Sequence, residues 1–188
     1  MGDFETLLTG GHPNSLGNTI AVVETVLQQP ERFEELFHCY FSDDEVVRLR
    51  VSNAMKRICK ERCDLLVPYI GRFLDEITQI DQASTQWTLA QLFLVLEQHM
   101  NGQQLRKAKE LLTHNLSHHN DWIVLNTTME TLTHWSKTDK RLKHWLVPHL
   151  ERLSEDTRKS VSARATKMLV KLASILCIFK EIIPLYDF

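Results

Sequence analysis

The sequence predicts an all-α fold: a right-handed α-solenoid of about four antiparallel helix pairs, preceded by an N-terminal capping helix. Three observations predict it. Six Gly and five Pro in 188 residues are too few for a protein of many short strands and tight turns. A chain that is 43% hydrophobic and 24% charged is globular, which excludes disorder, collagen and a disulfide scaffold. The third observation is an internal repeat. DEVVRLRVSNAMKRI from Asp44, QASTQWTLAQLFLVL from Gln82, DWIVLNTTMETLTHW from Asp121 and RKSVSARATKMLVKL from Arg158 align at separations of 38, 39 and 37 residues, the length of a two-helix repeat.

Residues 1–13 are expected to be flexible, and the run NSLGNTIAVVETVLQQP supplies the capping helix, with Leu16, Ile20, Val23 and Leu27 in phase. The four aligned segments are the second helices of successive pairs. Val47, Val51, Ala54, Met55 and Ile58 in the first become Thr85, Leu89, Leu92, Phe93 and Leu96, then Val124, Thr128, Thr131, Leu132 and Trp135, then Val161, Ala165, Met168, Leu169 and Leu172. Steps of four, three, one and three place each set on one helix face. Ahead of each lies a first helix: PERFEELFHCYF, CDLLVPYIGRFLDEI, GQQLRKAKELLTHNL and KRLKHWLVPHLERL. Two of these share LVPYIGRFL and LVPHLERL, with Pro68 and Pro148 expected in a first helical turn that tolerates the missing N–H. The turns FSDD, TQIDQ, SHHND and LSED are short and offer Ser or Asp to cap the second helix. Short turns make paired helices antiparallel. The expectation is therefore one continuous domain over residues 1–188, ending in a hydrophobic tail or cap at 175–188.

The first repeat resembles the HEAT-repeat family, whose second helix opens with Asp and a Val-Arg pair before small and aliphatic residues. Asp44, Val47, Arg48, Val51, Ala54, Met55 and Ile58 reproduce that pattern, and the resemblance extends more loosely over residues 14 to 175. Later copies carry Gln86, Leu125 and Ser162 in place of the family Arg, which interrupts the polar ladder between repeats. The resemblance implies an armadillo-type solenoid. It does not choose among adaptor, scaffold and enzyme, because one fold hosts many functions.

In such a solenoid the second helices line the concave face, and the residues opposite the core stripe form the contact surface. One row reads Leu49, Trp87, Asn126 and Ala163; the next Asn53, Gln91, Glu130 and Lys167; a third Arg57, Val95, His134 and Lys171. An aromatic, amides and charges of both signs are what a protein-binding groove offers. A protein-binding adaptor or scaffold is the expected function, without a cofactor. Lys+Arg 22 against Asp+Glu 24 argues against a strongly basic nucleic-acid binder, but the charge is banded. Residues 1–47 hold nine acids and one base, 48–72 two and seven, 73–104 four and none, and 105–188 nine and fourteen. Complementary bands on a partner would orient it and speed encounter.

The competing reading is a nucleic-acid-binding or base-excision protein. DNA alkylation-repair glycosylases are built from similar repeats, and Trp87, Asp121, Trp122, Arg164, Lys167 and Lys171 are what this chain would contribute. Asp121 reads equally well as a helix N-cap. His114 and His118 have the i, i+4 spacing that presents two imidazoles to a metal, with His119 and Asp121 nearby, but no HExxH pattern occurs. Cys39, Cys59, Cys63 and Cys177 lack CxxC pairs and fit a reducing cytoplasm, where Cys59 and Cys63 read as half-buried thiols beside Lys60 and Arg62. No GxSxG or Walker-type motif occurs. Asp3 and Glu5 stand where a signal peptide carries Lys or Arg. The C-terminal apolar run, bracketed by Lys171 and Lys180, is too short to span a bilayer. It is expected to fold back over the last repeat or to dock against a second subunit, giving self-association.

Overall fold

The computed structural model describes residues 3–12 and 15–182, with side chains described through Ser174. Every regular element among the described residues is helical. In chain order the α-helices, with short 3-10 turns among them, are α1 (Asp3–Leu8), α2 (Thr19–Gln28), α3 (Phe33–His38), α4 (Glu45–Glu61), α5 (Ile70–Asp75), α6 (Ala83–Leu96), α7 (Gly102–His118), α8 (Trp122–Trp135), α9 (Lys140–Ser154) and α10 (Lys159–Ile182). The starts of α4, α6, α8 and α10 lie 38, 39 and 37 residues apart, so the sequence period is a period of helix starts. By packing, the chain divides into two compact units, Met1–Ala108 and Lys109–Phe188, with the division inside α7. The sequence alone reads as one continuous domain. Helices that pack mainly on their neighbours along the chain need no single central core, which permits such a division.

In the first unit α4 packs against α1, α2 and α6. Its five expected core residues, Val47, Val51, Ala54, Met55 and Ile58, are all buried, as are Thr85, Leu89, Leu92, Phe93 and Leu96 of α6. Asp44 caps α4 by accepting from the Val46 N–H at 2.8 Å. The residue before α6 behaves differently from the expected Ser or Asp cap. Gln82 makes no side-chain cap bond; its Nε2 donates to the Glu45 carbonyl and to Ser84 Oγ, and its Oε1 accepts from Arg48 Nε at 2.6 Å. Arg48 also donates to the Ser42 carbonyl, so one Arg and one Gln tie the beginnings of two repeats together.

Three expectations for this unit are corrected. Residues 1–13 contain α1, whose Phe4 and Leu8 are fully buried. Because α1 packs on α2 and α4, the buried face of α2 is Thr19, Val22, Val23 and Val26, one residue out of phase with the expected stripe. Leu16 and Ile20 are exposed. The first two first helices are also broken: 30–41 is α3 between two 3-10 turns, and 63–79 is α5 among three. Pro30 is the first residue of one such turn and Pro68 the second of another, positions where an absent N–H is tolerated. Their aromatic side chains still form one cluster, with Phe37 at 5.2 Å from Phe73 and 5.0 Å from Tyr69 between ring centroids.

In the second unit α8 and α9 both pack against α10. Val124, Thr128, Thr131, Leu132 and Trp135 are buried, and so are Val161, Ala165, Met168 and Leu172; Leu169 is half-buried. Asp139 caps α9 through the Leu142 N–H and pairs with Lys109 at 2.7 Å. That cap starts the helix at Lys140, which leaves Pro148 inside α9 and not in its first turn. Pro148 therefore offers no N–H to the helix and remains exposed. Helix α10 runs to Ile182, but side chains from 175 and the residues after 182 fall outside the described ones, and with them the expected lid or subunit contact. No helix among the described residues is long and apolar enough to cross a membrane.

Candidate binding face

The residues expected to line the contact surface follow from the core phase: once the apolar stripe is buried, the opposite side of α4 and α6 is what remains. Leu49, Asn53, Trp87 and Gln91 are half-buried, and Arg57 and Val95 are exposed. Arg57 Nε donates to Asn53 Oδ1 at 2.8 Å, one helical turn away, which holds both side chains along α4. Between the first turns of α4 and α6 lies a cleft of about 230 Å³ lined by Glu45, Val46, Leu49, Gln82, Ala83, Ser84 and Trp87. Two members of one sequence row, Leu49 and Trp87, thus meet across it. The network from Gln82 to Arg48, Ser84 and the Glu45 carbonyl forms its polar end, and the Glu45 side chain is exposed. Such a cleft is shaped to take an apolar side chain against Leu49 and the indole, with amide and carboxylate groups at the edge.

The second unit carries the other half of the expected surface, and its residues are distributed differently. Asn126 is 7% exposed, and its Oδ1 has no hydrogen-bond partner among the described residues. It is therefore a buried acceptor and not the open surface amide that helical phase implies. Glu130 is paired with Arg164, while His134, Ala163, Lys167 and Lys171 are exposed.

The candidate acid of the base-excision reading, Asp121, accepts from the N–H groups of Ile123 and Val124 at 2.8 and 3.0 Å and is the N-cap of α8. Trp122 beside it is 48% exposed. His119 Nδ1 accepts from the Asp121 N–H, so it belongs to this turn and not to a metal-binding group with His114 and His118. The latter two rings stack at 4.4 Å above a cleft of about 400 Å³ also lined by Glu110, Thr113, Ser117 and Trp145. No group of three His, Cys, Asp or Glu among the described residues is placed to hold a metal.

Sequence reasoning missed Arg50. It is 2% exposed and donates through Nη1 to the carbonyls of Leu8 and Gly10, both at 2.6 Å, and through Nε to Ser15 at 3.3 Å. The repeat frame aligns position 50 with Thr88, Thr127 and Arg164, so the one signal available is an Arg where the two middle copies carry a small buried Thr, and the fourth copy, whose Arg164 is only half-buried, weakens even that. Comparison with protein-family models, curated proteins and solved structures returned no match to this chain.

Proposed function

We propose that this chain is a protein-binding adaptor or scaffold, built as a short right-handed solenoid of HEAT-like helix pairs that works in the cytoplasm through the faces of its second helices. The observation that carries the reading is the cleft between α4 and α6. There Leu49 and Trp87, predicted as neighbours in one row, line one apolar surface beside the Gln82 amide. A half-buried Trp in a cleft with polar edges is the kind of anchor point that concentrates binding energy in protein interfaces. Asn53, Arg57 and Gln91 extend that face along the same two helices, and Glu130, His134, Lys167 and Lys171 supply the corresponding positions on α8 and α10, where Asn126, expected with them, is buried.

The base-excision reading draws on the exposed Lys167 and Lys171, but Arg164 is paired with Glu130, and the Asp121 carboxylate is occupied by two backbone N–H groups. The test is affinity capture with cross-linking, comparing the wild type with Trp87→Ala/Gln91→Ala, beside a salt-titrated DNA-binding assay. Loss of a partner cross-linked near residues 45–49 and 82–91 supports the adaptor. Capture of every partner unchanged by the double variant would falsify the assignment of this face. Tight DNA binding that weakens steeply with salt would favour the runner-up.

A further inference from the structure

Helix α4 ends at Glu61, and Cys59 lies in its last turn, 4% exposed. Arg62 leaves helical geometry at φ −140°, ψ 69°, and Cys63 opens the following 3-10 turn, Cys63–Leu65. The break matters for the two sulfurs. In an uninterrupted helix, i and i+4 Cβ atoms stay about 5–6 Å apart, wider than the roughly 3.5–4.5 Å that a disulfide requires. The turn at Arg62 frees Cys63 from that spacing and brings its Sγ to 3.7 Å from Cys59 Sγ. Both thiols are free, and Cys63 is half-buried where Cys59 is enclosed. Among the described residues Cys39 is placed differently: it is buried, and its thiol donates to the Glu35 carbonyl.

We propose that Cys59 and Cys63 are a reversible dithiol–disulfide pair, oxidised by a low-molecular-weight disulfide that enters at Cys63. In the first step the Cys63 thiolate attacks one sulfur of the external disulfide, forming a mixed disulfide and expelling one thiolate. In the second step Cys59 gives up its proton to solvent and its sulfur attacks Cys63 Sγ. The 59–63 bond forms, and the second external thiolate leaves. Two electrons pass from the protein pair to the external disulfide, which is reduced to two thiols. The order follows from access, because only Cys63 meets solvent. Burial, and secondarily the neighbouring Cys63, pushes the Cys59 thiol up to about 12, so Cys59 remains protonated while Cys63 reacts. The product ties the last turn of α4 to the turn that leads into α5, and reduction releases it.

The experiment equilibrates the native full chain with oxidised and reduced glutathione at varied ratios, quenches with acid, and maps tryptic peptides by mass spectrometry. Trypsin cuts after Arg57, Lys60, Arg62 and Arg72, so the bond appears as a cross-link between peptides 58–60 and 63–72. The expected result is that cross-link, with loss of two hydrogens and full reversal by excess reduced glutathione. Cys59→Ser is expected to stop at a glutathione adduct on Cys63, and Cys63→Ser to leave Cys59 unmodified over the same time. Circular dichroism of both variants checks that they are folded; if one is not, the wild-type map alone decides. A glutathione adduct that persists on wild-type Cys63, or oxidation of the pair only after denaturation, overturns the proposal.

Discussion

Gly17 lies directly against the guanidinium of Arg50: a Cβ built on Gly17 would stand 2.8 Å from Arg50 Cζ. Gly17 also has φ +51°, a left-handed conformation that costs other L-residues roughly 1–2 kcal/mol. Glycine is thus required twice, once by the backbone and once by the buried cation that gathers the carbonyls of Leu8, Gly10 and Ser15. Gly17→Ala is expected to destabilise the fold by about 2 kcal/mol, and Arg50→Met by about 3 kcal/mol through carbonyls left without donors. The two effects are expected to be less than additive, since Met vacates the space that the alanine methyl needs. Urea unfolding of both single variants and the double variant measures this. Full additivity would show that Gly17 answers only to its backbone.

Two tryptophans on α8 are predicted to behave oppositely. Trp135 is 1% exposed and Trp122 is 48% exposed. The Trp135 Nε1 has no partner among the described residues, so its truncation removes packing alone. Trp135→Ala is expected to cost about 3–5 kcal/mol, and Trp122→Ala under about 0.5 kcal/mol. Equal losses in chemical denaturation would contradict the helical phase assigned to α8.

Asp121 acts as a cap, which separates its substitutions by chemistry. Alanine removes the acceptor for the N–H groups of Ile123 and Val124 and is expected to cost about 1 kcal/mol. Asparagine retains a capping oxygen and is expected to be nearly neutral. An Asp121→Asn variant that folded normally yet lost a base-excision activity of the wild type would restore the catalytic reading of this residue.

Acid is expected to weaken the fold through Asp156. The Arg158 side chain, and after it the Arg158 backbone N–H, hold its carboxyl at about 2, below the ordinary 3.8. A depressed carboxyl contributes stability above its unfolded value and loses it as pH falls through the folded value. The loss is therefore expected between about pH 4 and pH 2. Asp139, held down by the Leu142 N–H and by Lys109, and Glu34, held down by Arg72 and Tyr69, act in the same direction. Urea titrations of wild type and Asp156→Asn should differ by a constant amount near neutral pH and converge at the acid end. A gap unchanged in acid would show that the Arg158 contact contributes no charge-dependent stability.

The second helices were legible because a single periodicity governs them. The nineteen buried positions among the four core sets follow one spacing, and only Leu169 stands partly clear. The first helices were less legible. In the first two of them Phe37, Tyr69 and Phe73 crowd into one aromatic cluster, and Pro30 and Pro68 favour tight turns over continuous helix. The candidate face was partly legible: phase placed Leu49 and Trp87 in one row, but exposure cannot be read from phase when both sides of a helix are covered. Asn126 is the case in point, since the run from Val124 to Met129 is buried on every side of α8.

By itself, then, the sequence determined where the four second helices lie, how they recur and which stripe each of them buries, because apolar periodicity is a local property of a helix and burial answers to it. Tertiary structure decided the rest. The phase of α2 was set by α1 packing over it, the role of Arg50 by carbonyls some forty residues away in the chain, and the meeting of Cys59 with Cys63 by one non-helical residue between them. Each of these depends on distances between groups that periodicity does not encode, so only the packed chain could establish them.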